Sequence, residues 1–293
     1  MRWGRAMVVG AGLTAAWSLV EPHLPVLRRV TVPMLPAGSA PVRVLHLSDL
    51  HLLPRHQRRS DWVKALARLS PDLVVSTGDH LSAADAVALL GQTLGALTAD
   101  GTPGVFVPGN NDYYTPRAPN VRGYLTGGAP KRRGPDLPWA EAVRTLGAVG
   151  WTDLTHRRTT MALGAHEVTL TGTDDAHLRR DDYAQVAGPV ATALGIGVTH
   201  TPARRVLSAM SADGHQLLLA GHTHGGQVRL PLVGALVTNS DLDRARARGL
   251  STYDGSWLHV CAGLGTSPYA PVRLCCRPEA TLLTLVASGR LSP

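Results

Sequence analysis

Residues 42–51 have the sequence Val-Arg-Val-Leu-His-Leu-Ser-Asp-Leu-His, an apolar strand pattern that ends in two potential metal ligands. Val42 to Leu47 is rich in β-branched and aliphatic residues, which is typical of a buried strand. Asp49 and His51 follow at the point where the strand would end. Because α/β proteins bind ligands at the carboxyl ends of their strands, this stretch predicts a mixed α/β fold with a metal site at one sheet edge.

Three more polar phrases follow apolar runs in the same way, and a lone histidine, His200, precedes the last of them. The phrases are Gly78-Asp79, Gly109-Asn110-Asn111-Asp112 and Gly221-His222-Thr223-His224. Segments with apolar residues at helical spacing alternate with these strands, at residues 60–69, 83–97, 139–146 and 203–210. We therefore expect the polar side chains to converge where neighbouring strands end.

The candidate ligands are carboxylates, an amide and imidazoles, with no thiolate among them. They are Asp49, His51, Asp79, Asn110, His200, His222 and His224. Such a set favours hard or borderline divalent ions over a cysteine-bound structural zinc. These ligands are too many for one ion, but if Asp79 bridges, each of two ions receives four of them. Paired ions about 3.5–4 Å apart can lower the pKa of a shared water and hold both oxygens of an in-line phosphoryl displacement.

The ordered phrases resemble the signature of the calcineurin-like metallophosphoesterase superfamily, which has D-x-H, G-D, G-N-H-[DE], a lone His and G-H-x-H in that order. The resemblance covers the chain from about Val42 to its end. It implies a four-layer α/β sandwich of two mixed sheets flanked by helices, whereas periodicity alone supports only a mixed α/β fold. It also implies two divalent ions, manganese, iron or zinc. The first would be held by Asp49, His51, Asp79 and His224, and the second by Asp79, Asn110, His200 and His222.

The chain departs from the family at Asn111, where the third phrase normally carries a histidine that protonates the leaving group or stabilises the transition state. An amide can donate a hydrogen bond to a phosphoryl oxygen but cannot deliver a proton, so general acid catalysis worth roughly 10²–10⁴-fold would be missing. We expect Asn111 to act at the catalytic centre, with Asp112 orienting it or a water. The hydrolysis rate would fall least for a substrate with a good leaving group.

Two functional hypotheses follow. The first is a dinuclear metal-dependent phosphoesterase that uses metal-activated hydroxide on a phosphodiester or pyrophosphate bond. The second is a metal-bearing binding or regulatory protein that has lost turnover because Asn111 replaces the family histidine. The complete ligand set favours the enzyme.

Other polar residues near the phrases are candidate substrate contacts: His80, Asp175 and Arg55. His80 follows Asp79 directly, so it would point away from the metals if the strand continued. Asp175 belongs to an Asp174-Asp175 pair that precedes His177, Arg179 and Arg180, and solvated turn charges are the alternative explanation. Arg55 lies shortly after His51 in a basic stretch. A second basic stretch occupies the Gly- and Pro-rich insertion at residues 113–138, for which a cap over the site and disorder are the alternatives.

The first forty residues differ from the rest. Arg2 and Arg5 precede an apolar run at residues 6–20, and prolines punctuate the sequence that follows. Fifteen apolar residues fall short of the roughly 20 needed to span a bilayer, so the pattern is typical of a signal peptide or signal anchor. A buried or interfacial helix is the alternative. We predict a targeting segment and linker at residues 1–40, a catalytic domain at residues 41–293, and a membrane-associated or exported protein.

The net charge of +8 favours an acidic partner, although 27 of the 29 basic residues are arginine, which also reflects a bias in composition. No nucleic-acid-binding motif accompanies the charge, so nucleic acid is not expected. We expect a phosphorylated small molecule or lipid as substrate, with a membrane nearby; the sequence does not indicate an oligomeric state. Within the superfamily, residues 48–51, 221–227 and 263–265 resemble small bacterial membrane-associated phosphoesterases related to UDP-diacylglucosamine pyrophosphohydrolases.

Overall fold

Two six-stranded sheets lie face to face in the computed structural model, which describes residues 12–116 and 134–288. The first sheet has the order β1-β14-β2-β3-β4-β5 and the second the order β12-β13-β9-β8-β7-β6. The strands are β1 (Val26–Leu35), β2 (Val42–Leu47), β3 (Leu73–Ser76), β4 (Gly104–Phe106), β5 (Trp151–Asp153), β6 (Arg157–Leu163), β7 (His166–Gly172), β8 (Leu194–Val198), β9 (Leu217–Ala220), β10 (Arg229–Leu230), β11 (Gly234–Ala235), β12 (Gly249–Tyr253), β13 (Ser256–Val260) and β14 (Glu279–Ala287). Strands β10 and β11 form a separate hairpin.

Both sheets are mixed. Strands β2 to β5 run parallel to one another, while β14 is antiparallel to β2. In the second sheet β7, β8, β9 and β13 are parallel, and both edge strands, β6 and β12, are antiparallel to their neighbours. The parallel strands of each sheet therefore end at a common edge.

Helices cover the outer face of each sheet. The helices of the described residues are α1 (residues 12–20), α2 (Gln57–Lys64), α3 (Val87–Gly95), α4 (Asn110–Tyr113), α5 (Trp139–Ala148) and α6 (Arg204–Ala212). Of these, α2, α3, α5 and α6 pack on the sheets. Leu90 and Leu94 of α3 and Leu146 of α5 belong to the core that covers the first sheet. Val206 and Met210 of α6 do the same for the second sheet.

Alternating side chains within single strands explain the layering. In β2, Val42 and Val44 join the core between the two sheets, whereas Leu45 and Leu47 join the core under the helices. Successive side chains of a strand point to opposite faces, so a strand that is buried on both faces can be apolar throughout. The predicted four-layer α/β sandwich is confirmed.

Strand β1 lies within the stretch for which the prolines predicted a linker. It pairs in parallel with β14, from Val26 opposite Glu279 to Val32 opposite Leu285. Pro33 is tolerated because β1 is an edge strand, where one side of the backbone needs no partner. Residues 26–35 are thus part of the first sheet, and the predicted boundary at residue 41 falls after a strand of that sheet.

The predicted targeting segment lies partly outside the described residues, which begin at residue 12. Residues 12–20 form helix α1, whose side chains are exposed apart from a half-buried Ser18. Across residues 12–116 and 134–288, no helix combines the length and apolar character needed to cross a bilayer. Targeting by this segment stays a prediction.

Candidate metal centre

The predicted ligands meet at the edge where the parallel strands of both sheets end. Those that follow β2, β3 and β4 come from the first sheet, and those that follow β8 and β9 come from the second. In chain order they are Asp49, His51, Asp79, Asn110, His200, His222 and His224. The centre therefore lies where the two sheets meet, and each sheet supplies part of it.

Tight left-handed turns aim these side chains. Asp49, His51, Asp79, His222 and His224 all have positive φ, between 43° and 67°. Non-glycine residues in this region cost of order 1–3 kcal/mol each and persist only where the surrounding structure compensates. Such a concentration of strain at strand ends is typical of a functional site.

Gly78 illustrates how closely the backbones approach. Its φ is +88°, and a Cβ there would lie 2.6 Å from the Gly109 nitrogen and 2.7 Å from the His200 imidazole. Only glycine fits at this position, so the Gly-Asp order of the second phrase has a steric cause.

Six of the ligands form two overlapping groups whose donor atoms lie within 4.8 Å of one another. One group contains Asp49, His51, Asp79 and His224, and the other contains Asp79, His200 and His222. Asp79 belongs to both. Its Oδ2 lies 3.4 Å from His51 Nε2 and its Oδ1 lies 3.4 Å from His200 Nε2.

Two buried oxygens at the centre have no hydrogen-bond partner, Asp49 Oδ1 and Asn110 Oδ1. The other carboxylate oxygen of Asp49 accepts hydrogen bonds from Ser48 Oγ, at 2.6 Å, and from the His222 nitrogen, at 3.1 Å. Buried polar atoms are nearly always paired, so an orphaned oxygen needs an explanation. A divalent cation would give both oxygens a partner, and the residues present fit such an ion.

The four imidazoles are oriented in a common way. In each, one ring nitrogen faces the centre while the other bonds to a backbone carbonyl or a hydroxyl, as metal-binding histidines do. The outer contacts are His200 Nδ1 to Thr77 O at 2.6 Å, His51 Nδ1 to Ser82 Oγ at 3.2 Å, His222 Nε2 to Asn239 O at 3.2 Å and His224 Nδ1 to Gly265 O at 3.2 Å. These bonds fix which nitrogen is free to bind a metal.

Distances between the inward nitrogens also fit metal binding. His51 Nε2 and His224 Nε2 lie 3.2 Å apart, as do His200 Nε2 and His222 Nδ1. Two nitrogens bound to one zinc-sized ion at about 2.0–2.1 Å, with tetrahedral to octahedral angles, would lie about 2.8–3.4 Å apart. Each pair is already at this spacing.

Electrostatics keep most of the imidazoles neutral, the form that binds metal. Burial lowers the pKa of His51 to about 4 and lowers those of His222 and His224 well below the ordinary value. His200 differs: burial alone would lower its pKa, but the charge of Asp79 raises it well above the ordinary value.

The two carboxylates differ as well. Burial raises the pKa of Asp49 to about 6. Burial would also raise the pKa of Asp79, but the charge of His200 opposes it and the result is a pKa well below the ordinary value. Asp79 therefore favours its ionised form more strongly than Asp49 does, which suits a bridging ligand.

Asn111 lies at the centre, as expected, but its amide is directed at a ligand. Asn111 Nδ2 donates to Asp79 Oδ2 at 2.7 Å, and its backbone nitrogen donates to Asp79 Oδ1 at 2.8 Å. The residue thus holds the carboxylate shared by both groups.

The sequence predicts that Asp112 orients Asn111 or a water, whereas in the structure its carboxylate oxygens bond to His80 and Gly109. It is fully buried, and its oxygens accept from the backbone nitrogens of His80, at 2.7 Å, and Gly109, at 2.9 Å, and from His80 Nδ1, at 2.9 Å. The chain turns at Asp79 and brings His80 against Asp112, so the carboxylate is satisfied by the scaffold. Asp112 is a positioning residue.

His80 has a supporting position in this structure, and its predicted contact with substrate stays a prediction. His80 is fully buried, its Nε2 bonds to Ser76 Oγ at 2.8 Å, and its ring stacks on Trp139 with 5.7 Å between centroids. Both ring nitrogens are occupied, so His80 supports the loop that carries Asp79.

Asp175 is not a solvated turn charge, nor is it open to substrate. It is fully buried and accepts from Thr201 Oγ1, at 2.7 Å, and from the Leu178 nitrogen, at 2.8 Å. Burial raises its pKa.

Arg55 lies in an exposed turn after Leu53, and its contact with substrate stays a prediction. The predicted cap falls largely on residues 117–133, outside the described residues.

Three contributors went unnoticed in the sequence. Tyr113 donates to Asp174 Oδ1 at 2.8 Å and lies under the Arg180 guanidinium, 4.1 Å from the ring centroid. Its position directly after Asp112 was the available signal. The Asn239 carbonyl holds His222, and no local pattern marks it. Arg273, fully buried, donates to the Gly265 carbonyl that also holds His224.

His177 was noted in the sequence only as part of a charged turn. Its ring lies 4.8 Å from that of His222, centroid to centroid. The side chain is half-buried at the margin of the centre.

A model of the calcineurin-like phosphoesterase family matches residues 42–226, from strand β2 through the last ligand phrase. The match covers more than half of the chain. The chain belongs to the calcineurin-like phosphoesterase family, whose members use divalent metals, and it is a metal-dependent phosphoester hydrolase.

Several bacterial relatives resemble this chain over most of their length. Phosphodiesterase YaeI of Escherichia coli is 28% identical over 257 residues, which cover 85% of this chain and 84% of YaeI. The uncharacterized metallophosphoesterase YkuE of Bacillus subtilis is 24% identical over 294 residues, which cover 97% of this chain and 93% of YkuE. The uncharacterized protein YpbG of Bacillus subtilis is 25% identical over 249 residues, which cover 85% of this chain and 82% of YpbG.

Proposed function

We propose that this enzyme hydrolyses a phosphodiester or pyrophosphate bond with two divalent ions that share Asp79. The observation that carries the proposal is the presence of Asp79 in both groups of metal-ligand side chains. Bound ions at these positions would polarise a phosphoryl oxygen and lower the pKa of a water molecule. Manganese, iron and zinc all suit the mixed carboxylate and imidazole ligands.

The chain's own residues hold and orient this centre. The inward nitrogens of the four histidines are fixed by their outer hydrogen bonds, and Asn111 fixes Asp79. Since the amide of Asn111 donates hydrogen bonds but cannot act as a general acid, the proposed substrate has a leaving group that is stable without protonation. A pyrophosphate linkage or an ester of an acidic alcohol meets this condition.

The name of the relative YaeI supports the phosphodiester class. A lipid-linked or nucleotide-sugar substrate is the finer proposal, supported by the likeness of residues 48–51 and 221–227 to UDP-diacylglucosamine pyrophosphohydrolases and by the apolar amino terminus. The same terminus supports a membrane-associated or exported protein. Recovery of the full chain wholly in the cytosolic fraction of its source cells would contradict that location.

A metal panel tests the catalytic proposal. Purified full-length protein, stripped with a chelator, is supplied separately with manganese, zinc or magnesium and assayed on bis(p-nitrophenyl) phosphate and on a nucleoside diphosphate sugar. We expect metal-dependent turnover of at least one substrate. Protein that binds two equivalents of metal yet cleaves neither substrate would instead be the non-catalytic binding protein.

A further inference from the structure

The exposed large hydrophobic side chains of residues 12–116 and 134–288 are confined to a few segments. They are Leu13, Trp17, Leu19, Val20 and Leu24 near the amino terminus, Leu230, Leu232, Val233, Leu236 and Val237 around the β10–β11 hairpin, and Tyr269. Single exposed apolar side chains are common on any protein, but their concentration in few places marks an interaction surface.

One extended segment joins the amino-terminal helix to the hairpin. The Arg273 nitrogen donates to the Ser18 carbonyl at 2.9 Å, on one side of the segment. On the other side, the Leu274 nitrogen donates to Gln227 O at 3.0 Å, and the Arg229 nitrogen donates to Leu274 O at 2.9 Å. The end of α1 and the base of the hairpin are therefore hydrogen-bonded to opposite sides of the same short segment.

Helix α1 and the tip of the hairpin are both largely exposed. Helix α1 is exposed nearly all round, although Trp17, Leu19 and Val20 are apolar. The Leu232 side chain at the hairpin tip is fully exposed, and Val233 is 66% exposed. Several exposed apolar side chains on one short helix favour an apolar partner, and a hairpin of two-residue strands is marginal in water without a partner.

Charge indicates a bilayer as the partner. Arg277 donates to the Leu24 carbonyl beside the amino-terminal segment. Arg244 donates to the Leu236 carbonyl beside the hairpin. Both arginines are exposed. The whole chain carries +8. Apolar side chains flanked by exposed arginines match the acyl and headgroup layers of an anionic membrane. The apolar sequence also continues before residue 12, back to residue 6.

The hairpin is attached to the metal centre at both ends. It begins five residues after His224, and it is followed by Asn239, whose carbonyl accepts from His222 Nε2 at 3.2 Å. Contact between the hairpin and a membrane would therefore place the metal centre close to the lipid headgroups.

We propose that the β10–β11 hairpin and helix α1 dock together on an anionic lipid bilayer, with Leu232 and Val233 inserted among the acyl chains. This docking is independent of the catalytic proposal. It adds a second membrane contact to the one predicted for the amino terminus.

Site-specific fluorescence tests the insertion in the full chain. Val233→Cys is labelled with an environment-sensitive dye in a Cys275→Ser background, because Cys275 is the exposed cysteine of the described residues. Gln92→Cys, on the exposed side of α3, is the matched control. On adding vesicles of phosphatidylglycerol and phosphatidylcholine we expect a blue shift and about a twofold or larger rise in emission at position 233. Position 92 should not respond.

The alternatives give different results. Protein that sediments with vesicles while the label at position 233 stays unchanged overturns the proposal, as does protein that does not sediment at all. A shift that appears without vesicles and grows with protein concentration would make the hairpin an interface with a second copy, which also overturns it.

A second variant measures the contribution of the hairpin. Leu232→Ser combined with Val233→Ser should weaken vesicle binding by roughly fivefold to tenfold, since two apolar side chains no longer leave water. Gln92→Ser is the control, and circular dichroism checks the fold. Unchanged vesicle affinity of the double variant would contradict insertion.

Discussion

The metal centre and the space between the two sheets both bury imidazoles, yet their hydrogen bonding differs. Between the sheets, His46 Nδ1 lies 2.8 Å from His259 Nδ1, and His46 Nε2 lies 3.0 Å from Thr77 Oγ1. At the metal centre, each histidine has one nitrogen held by the protein and the other aimed at further ligands. An inward-facing second nitrogen therefore distinguishes a metal ligand from a structural histidine in this fold.

The same comparison separates the carboxylates. Asp112 has both oxygens satisfied by backbone and imidazole donors, whereas Asp49 keeps one oxygen without a partner. Both side chains are fully buried, so burial alone does not identify a ligand. Four predictions test this distinction.

The largest effect is expected from Asp79→Ala. Because Asp79 is shared by both groups, the variant should lose both metals, and diester turnover should fall by at least about 10³-fold. Metal analysis and turnover of bis(p-nitrophenyl) phosphate measure the two effects. Asp100→Ala, in an exposed turn, is the matched control, and two full equivalents of metal retained in Asp79→Ala would contradict a shared ligand.

Much of this centre could be predicted from the sequence, because each ligand directly follows a strand and parallel strands of one sheet end together. The roles of Asp112 and His80 could not. They depend on the positive φ of Asp79, which turns the chain and brings His80 against Asp112. Strand β1 could not be predicted either, because its partner, β14, is some 250 residues away in sequence.

Asp112→Ala should act on stability. It leaves His80 Nδ1 and several backbone donors buried without an acceptor, which should lower the free energy of unfolding by about 3 kcal/mol or more. Denaturant unfolding measures this loss. Asp112→Asn, which keeps one acceptor oxygen, should lose less and should keep its metals. Full stability with abolished turnover in Asp112→Asn would return Asp112 to a catalytic role.

Acid should destabilise the structural histidine pair. Burial lowers the pKa of His259 to about 3, whereas in the unfolded chain it has its ordinary value near 6.5. Below pH 6.5 the unfolded state binds a proton that the folded state does not, so stability falls until the pH approaches 3. At pH 5 the buried neutral His259 should lower the free energy of unfolding by about 2 kcal/mol.

His259→Asn isolates this contribution, since its amide can replace Nδ1 as the partner of His46. Chelator-treated protein is unfolded in urea at pH 7.5 and at pH 5, and the variant should lose less stability than the wild type between the two. His23→Asn, at an exposed histidine, should behave as wild type. Equal pH dependence in all three proteins would mean that His259 is already protonated in the fold.

The smallest expected effect concerns Asn111. Its amide donates a hydrogen bond to the metal ligand Asp79 but is not itself a predicted ligand. Asn111→His should supply the proton donor that the amide lacks, and a tenfold gain in rate corresponds to about 1.4 kcal/mol. We expect at least about a tenfold rise on an alkyl diester, with little change on an aryl diester and unchanged metal content. If both substrates slow equally, the hydrogen bond from Asn111 to Asp79 is what the centre needs from this position. Asn111→Gln then shows whether the position of the amide matters as well as its chemical nature, since it keeps the amide but moves it by one methylene.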